Sequence, residues 1–236
     1  MNLRLAILAV AELGLLAQVP NEPNLAYQRY RALARDAASP LAGVVQAADE
    51  WLQAYERNGP GPQTLPPYLD LARFYAAKGI RTGEILPLLE KAVEEISAPG
   101  SFTQARTHGH SPFEDDFQRA FAANLYTKLR QYDRARALLA AAGRTFSQTN
   151  PADLDPARAR IFAALRFQYR DSMARLAIAE GRQADALDLE RAILTDRSRV
   201  VAPRLIEEHR QMARQLWSDL GRPAAEFDQW LADGRR

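Results

Sequence analysis

Apolar and polar residues follow one another along this chain with the spacing of amphipathic helices. In the segments 71–93, 124–142 and 172–193, apolar residues recur at i, i+3, i+4 and i+7, which places them on one side of a helix with 3.6 residues per turn. Runs that alternate β-branched and polar residues, the pattern of half-buried strands, are scarce. The pattern therefore predicts an all-α fold.

Proline and glycine mark the helix boundaries. Four prolines follow a residue typical of an N-cap and take the first helical position, where the missing N–H is not needed. These N-cap residues are Ser39, Ser111, Asn150 and Asp155. Glycines typical of helix ends are Gly79, Gly143, Gly181 and Gly221. Together these marks predict ten helices, over 24–37, 40–57, 66–78, 83–97, 112–130, 132–143, 156–180, 183–195, 203–220 and 223–233, with 97–110 as the longest break.

Links of two to five residues join these helices in pairs, and links this short force the two helices of a pair to lie antiparallel. The pairs in the three segments named above share one pattern, in which small and large apolar residues are followed by a turn and then by alanine in the second helix. Small residues let helices approach closely, and large residues fill the gaps between them. Because one pair cannot bury its apolar face alone, we expect the pairs to stack as a solenoid.

These pairs resemble tetratricopeptide (TPR) repeats in their aromatic, turn and alanine positions. The matching residues are Leu71, Ala72, Tyr75, Gly79 and Ala92 in the first pair, Tyr126, Tyr132, Ala135, Leu139 and Ala142 in the second, and Gly181 and Ala186 in the third. The first pair has one extra residue after Gly79. The resemblance covers about 66–233 and implies an α-α superhelix of about five hairpins over residues 20–236.

The resemblance also implies a place for a partner, since the first helix of each TPR hairpin lines a concave groove. The positions that correspond to this groove are Leu69, Arg73, Asn124, Lys128, Asp171, Arg175, Gln211 and Gln215. Cations and amides at such positions can hold a peptide backbone or a carboxylate. The implied function is a scaffold that binds a protein or peptide without a cofactor.

Aromatic residues at helical spacing are predicted to pack in the core rather than to bind a partner. They are Trp51, Tyr55, Tyr68, Phe74, Tyr75, Phe117, Phe121, Trp217 and Trp230.

A second resemblance concerns the segment 216–231, LWSDLGRPAAEFDQWL. It looks like the segment that follows helical repeats in exported bacterial proteins with a C-terminal thioredoxin-like redoxin domain. This resemblance implies an alternative function, as the accessory N-terminal domain of an exported thiol–disulfide oxidoreductase whose redox domain is not in this chain.

Charge and composition argue against several other functions. The net charge is +2, and three of the 31 basic residues are lysines, which leaves 28 arginines. Acidic residues are interleaved with these arginines, whereas a nucleic-acid-binding face segregates its basic residues, so we expect no nucleic-acid partner. The absence of cysteine excludes disulfides and thiolate chemistry within the chain. Because no G-x-S-x-G, phosphate loop or H-E-x-x-H is found either, we expect no enzymatic activity.

Residues 1–19 have the features of an export signal. Arg4 precedes an apolar stretch from Leu5 to Ala17, and the sequence turns polar at 18–20. Glu12 favours the alternative of an apolar, buried first helix, because an acid at the centre of an inserted helix costs roughly 2.5–3.5 kcal/mol. The stretch is too short for a stable membrane span. We expect an exported, periplasmic or extracytoplasmic protein, with a cytoplasmic location as the alternative.

Histidines offer the remaining candidate chemistry. His108 and His110 lie in THGHSPFEDD (107–116) beside three carboxylates and are weak candidates for a zinc or copper site. The pattern of Ser111 and Glu114 is instead typical of a capping box at a helix start, which is the interpretation that we favour. His209, between glutamates and Arg210, is predicted to be solvated on a charged helix face.

Overall fold

A computed structural model describes residues 22–59, 66–97, 113–196, 198 and 201–234. Within these residues the chain forms ten α-helices and no β-strand, which confirms the all-α prediction. The helices are α1 (Glu22–Arg35), α2 (Leu41–Asn58), α3 (Tyr68–Lys78), α4 (Thr82–Ser97), α5 (Glu114–Lys128), α6 (Tyr132–Gln148), α7 (Pro156–Ala179), α8 (Gln183–Leu194), α9 (Pro203–Asp219) and α10 (Phe227–Asp233). Short 3₁₀ turns at Pro151–Asp153 and Ala224–Glu226 precede α7 and α10.

The helices are grouped into two compact units. The N-terminal unit contains α1–α4 and the C-terminal unit contains α5–α10, and the division falls at the end of the 97–110 break. Helices adjacent in sequence pack as pairs, α1 with α2, α3 with α4, α5 with α6 and α7 with α8. In the C-terminal unit α7 also packs on α5 and α6, and α9 packs on α8. The prediction of paired helices is confirmed.

One type of turn ends four helices, α3, α5, α7 and α9. A residue with positive φ follows the helix, and the N–H of the next residue donates to a carbonyl of the last turn, which is the Schellman arrangement. The residues with positive φ are Gly79 (66°), Arg130 (59°), Gly181 (76°) and Gly221 (69°). The closing hydrogen bonds are Ile80 to Tyr75 (3.1 Å), Gln131 to Tyr126 (2.8 Å), Arg182 to Ala177 (2.8 Å) and Arg222 to Trp217 (3.2 Å). The predicted ends at the three glycines are confirmed.

Gly143 is not a helix end, and that prediction is wrong. It lies within α6, which continues to Gln148. A Cβ at Gly143 would lie 2.8 Å from the hydroxyl oxygen of Tyr169 on α7. The glycine is therefore explained by the close approach of two helices and not by a turn.

The predicted N-caps have different outcomes. Asp155 is confirmed, because its carboxylate accepts from two backbone N–H groups in the first turn of α7. Asn150 caps a 3₁₀ turn by accepting from one backbone N–H. Ser39 is not an N-cap, since α2 begins after Pro40 and the Ser39 hydroxyl donates to the carboxylate of Asp36. The acidic first turn of α5 is as predicted, while Ser111 lies outside the described residues.

Aromatic rings join successive helices within each unit. The ring of Tyr30 stacks on Trp51 at 5.2 Å and meets the edge of Phe74 at 5.9 Å, linking α1, α2 and α3. At the other end of the chain, the rings of Trp217 on α9 and Phe227 on α10 meet edge-to-face with centroids 5.9 Å apart, and both residues belong to one buried cluster. All nine aromatic residues predicted for the core are buried or partly buried, which confirms that prediction.

Candidate functional site

The shared turn gives a common register for the predicted groove residues. Counted back from the residue with positive φ, Arg73, Asn124, Arg175 and Gln215 each lie six residues before it. Leu69, Asp171 and Gln211 lie ten residues before it. Lys128 lies only two residues before it, and the residue ten before in that pair is the buried Ala120. The residues predicted on α5, Asn124 and Lys128, therefore lie one helical turn later relative to the turn than those predicted on α3, α7 and α9.

Burial divides the same residues into three groups. Leu69 and Asp171 are buried, at 6% and 8% exposure, so Leu69 is a packing residue. Arg73 and Asn124 are partly exposed. The exposed members are Lys128, Arg175, Gln211 and Gln215.

The structure brings Asp171 and Arg175 together at a pocket between α7 and α9. This pocket has a volume of about 330 Å³. Its walls combine apolar side chains with charged and amide groups, namely Phe167, Gln168, Asp171, Arg175, Leu205, Glu208, His209 and Met212. We call it the α7–α9 pocket. The other predicted groove residues do not line it.

His209 is buried, and the prediction of a solvated histidine is wrong. It is 3% exposed, and its Nδ1 lies 2.8 Å from Oε2 of Glu190 on α8, which is fully buried. The sequence context misled because the neighbours of His209 in the chain, Glu207 and Glu208, point to solvent. The buried stripe of α9 consists of His209, Ala213, Leu216 and Trp217, and the helical period alone places His209 on it.

Glu190 was not among the predicted site residues, although its position in the hydrophobic pattern of α8 indicated that it is buried. It belongs to the buried stripe of α8, which contains Ala186, Leu187, Glu190, Ile193 and Leu194. An acid in the middle of an apolar stripe needs a buried partner, because burying an unpaired charge is costly. His209 on the neighbouring helix is that partner.

A row of contacting polar side chains leads from the Glu190–His209 pair to the surface, and acidic and basic groups alternate along it. The Nε2 of His209 faces Oδ1 of Asp171 at 3.8 Å, and the same oxygen accepts a hydrogen bond of 2.7 Å from Nε of Arg175. The ring of Phe167 packs edge-to-face on the imidazole with centroids 5.2 Å apart. The Arg175 side chain is 45% exposed, so the chain of contacts ends in solvent.

Hydrogen bonds on other sides of α7 hold this helix in place. The hydroxyl oxygen of Ser172 lies 3.1 Å from the carbonyl of Ala120 on α5 and 2.8 Å from the carbonyl of Gln168 on its own helix, and its single hydrogen is shared between these two acceptors. Arg166 and Arg170 both contact Oδ2 of Asp196, at 2.7 and 3.0 Å, just after the end of α8. Burial opposes ionisation of Asp196, but hydrogen bonds from Ser198 and the two guanidinium groups outweigh it and lower the pKa of Asp196.

The side chains that line the α7–α9 pocket supply an imidazole, two carboxylates, a guanidinium and an amide beside apolar groups. None of its lining side chains is a hydroxyl or thiol that could act as a nucleophile. Across the described part of the chain, no group of three or more histidine, cysteine, aspartate or glutamate side chains is arranged to hold a metal ion. His108 and His110 lie outside the described residues, so the metal prediction for them stays a prediction.

No protein-family model, curated protein or solved structure matches the sequence. Among the residues that the structure describes, none of the helices has both the length and the apolar character needed to cross a membrane.

Proposed function

We propose that this protein is a non-catalytic helical-repeat scaffold of the TPR type that binds a segment of a protein or peptide. The proposed contact surface is the side of the C-terminal unit on which α5, α7 and α9 carry Asn124, Arg175 and Gln215 at equivalent positions. The observation that carries the proposal is the α7–α9 pocket beside Arg175, because it offers a recess for a partner side chain next to a guanidinium that can donate to the partner's backbone.

The three polar side chains have the chemistry that an extended peptide needs. Amides both donate and accept hydrogen bonds, as does the peptide backbone, and a guanidinium donates to carbonyl or carboxylate oxygens.

Selection of peptides from a random display library against the purified chain tests this proposal. A selected peptide is then measured by fluorescence anisotropy with the wild type, Arg175→Glu, Asn124→Ala and Gln215→Ala. We expect Arg175→Glu to weaken binding about tenfold or more, which corresponds to about 1.4 kcal/mol. Arg160→Glu is the matched control, because Arg160 is exposed on the same helix and should leave the affinity unchanged.

Two results would contradict the proposal. One is a selection that yields no peptide with saturable binding. The other is a set of peptides that bind the Arg175→Glu, Asn124→Ala and Gln215→Ala variants as tightly as the wild type.

The alternative role as the accessory domain of an exported thiol–disulfide oxidoreductase stays a prediction. A C-x-x-C sequence in the reading frame soon after Arg236 would favour it, and a stop codon there would count against it. Exported location is likewise a prediction, and N-terminal sequencing of the mature protein tests it.

A further inference from the structure

Two hydrogen-bond acceptors face each other at the inner end of the α7–α9 pocket. Nδ1 of His209 lies 2.8 Å from Oε2 of Glu190. We infer the proton position from this contact: a carboxylate only accepts hydrogen bonds, so a neutral imidazole paired with it must carry its hydrogen on Nδ1. Nε2 of His209 is then an acceptor. Oδ1 of Asp171 lies 3.8 Å from Nε2, which is too far for a hydrogen bond, and this oxygen is also an acceptor.

A donor with at least two N–H groups fits between these two atoms. One nitrogen can lie about 2.9 Å from both Nε2 and Oδ1, which is the usual length of such hydrogen bonds. A primary ammonium carries three donors on one compact nitrogen, whereas a guanidinium spreads its donors over a planar fork suited to a carboxylate. The geometry therefore favours an ammonium.

The charge around the pocket also favours a cation. Asp171 and Glu208 line it, and the fully buried Glu190 lies behind His209. Arg175 is the cation among the lining residues, and it is already hydrogen-bonded to Asp171. Glu208 accepts a hydrogen bond of 3.1 Å from Arg204, whose side chain is 90% exposed, so solvent screens that pair strongly.

We propose that the α7–α9 pocket receives a lysine side chain of the peptide partner. Its ammonium donates to Nε2 of His209 and Oδ1 of Asp171, and its methylene groups lie against Phe167, Leu205 and Met212. The volume of about 330 Å³ is at the lower end of the range for ligand pockets, which suits one long, thin side chain. This assignment rests on the proposed peptide-binding function and adds the residue type that the surface selects.

Nitrogen NMR of the histidine rings tests the assignment with small probes. The chain has only three histidines, and a His209→Gln variant identifies the signals of His209. We expect the free protein to show His209 with its proton on Nδ1. Addition of Nα-acetyl-lysine N-methylamide should then shift the Nε2 signal saturably, with a dissociation constant on the order of 1 mM as expected for a single side chain.

Matched probes and variants show whether the pocket recognises the ammonium group or only the apolar part of the lysine side chain. Nα-acetyl-norleucine N-methylamide has an apolar chain without the charge, and we expect it to bind at least tenfold more weakly than the lysine probe. Asp171→Asn should weaken binding of the lysine probe at least tenfold. Asp188→Asn is the same change at an exposed site on the neighbouring helix α8 and should not change binding.

Three outcomes would overturn the assignment. They are a lysine probe that causes no saturable shift, a norleucine probe that binds equally well, and an N-terminal amine probe, alanine N-methylamide, that binds better than the lysine probe. If library peptides still bind the surface through Arg175 and Asn124 in those cases, the lysine assignment fails while the peptide-binding proposal stands. If no peptide binds at all, the peptide-binding proposal fails as well.

Discussion

Replacing Glu190 with alanine should lower the free energy of unfolding of the C-terminal unit by about 3–5 kcal/mol, the usual loss when one partner of a buried polar pair is removed. Glu190 is fully buried and His209 is 3% exposed, so water cannot replace the lost carboxylate without opening the core. The N–H of the imidazole is left without an acceptor, which by itself costs about 1–3 kcal/mol. The cavity left by the shortened side chain adds the remainder.

Urea unfolding monitored by tryptophan fluorescence measures this loss. Trp217 and Trp230 belong to the C-terminal unit and Trp51 to the N-terminal unit, so a Trp51→Phe background makes the emission specific for the unit that contains Glu190. The matched control is Asp188→Ala, because Asp188 is exposed on the same helix. A surface change of this kind should shift the free energy by no more than about 0.5 kcal/mol.

A double variant, Glu190→Leu with His209→Leu, separates the pair from its surroundings. Removing both partners leaves no unsatisfied polar group, and apolar replacements of buried pairs are often neutral. We therefore expect the double variant to be more stable than Glu190→Ala. A loss below about 1 kcal/mol for Glu190→Ala, or a double variant less stable than the single one, would refute the reasoning.

Three further predictions concern the turns and the packing of α7. Arg130→Gly should raise the unfolding free energy by up to about 1 kcal/mol because glycine adopts positive φ more easily, and Gly181→Ala should lower it by a similar amount. Urea unfolding midpoints measure both changes, and a loss of stability in Arg130→Gly would contradict the prediction. Gly143→Ala should lower the free energy of unfolding by about 1–3 kcal/mol, because the added methyl group overlaps the Tyr169 hydroxyl. The loss should be smaller in a Tyr169→Phe background, and an equal loss in both backgrounds would exclude this overlap as the cause. The lowered pKa of Asp196 means that its stabilising contribution is complete above its ordinary pKa of 3.8 and is lost as the pH falls through its lower value in the folded protein. Asp196→Asn should therefore be less stable than the wild type at pH 6, with the gap closing towards pH 2, and thermal melting at the two pH values shows whether it does.

Local features of the fold were accessible from the sequence because they depend on a few neighbouring residues. Asp155 followed by proline predicts a helix start, and glycines 79, 181 and 221 predict helix ends, since the capping hydrogen bonds and the positive φ involve residues within one turn. Each predicted helix is present, and the ends that differ by more than two residues are the end of α6 and the start of α10.

Features that depend on another helix were misjudged. Gly143 was taken as a helix end, but its reason lies on α7, in the ring of Tyr169. His209 was taken as solvated, but the packing of α9 on α8 buries it beside Glu190.

The sequence by itself determined that this chain is helical and where most of its helices begin and end, because hydrophobic period and capping act over a few residues. Only the tertiary structure decided which polar side chains are buried together. Glu190, His209 and Asp171 come from three helices. The helical period places Glu190 and His209 on buried stripes, but only the packing of α8 against α9 makes each the partner of the other. Asp171 is buried as well, and it pairs with Arg175 on its own helix.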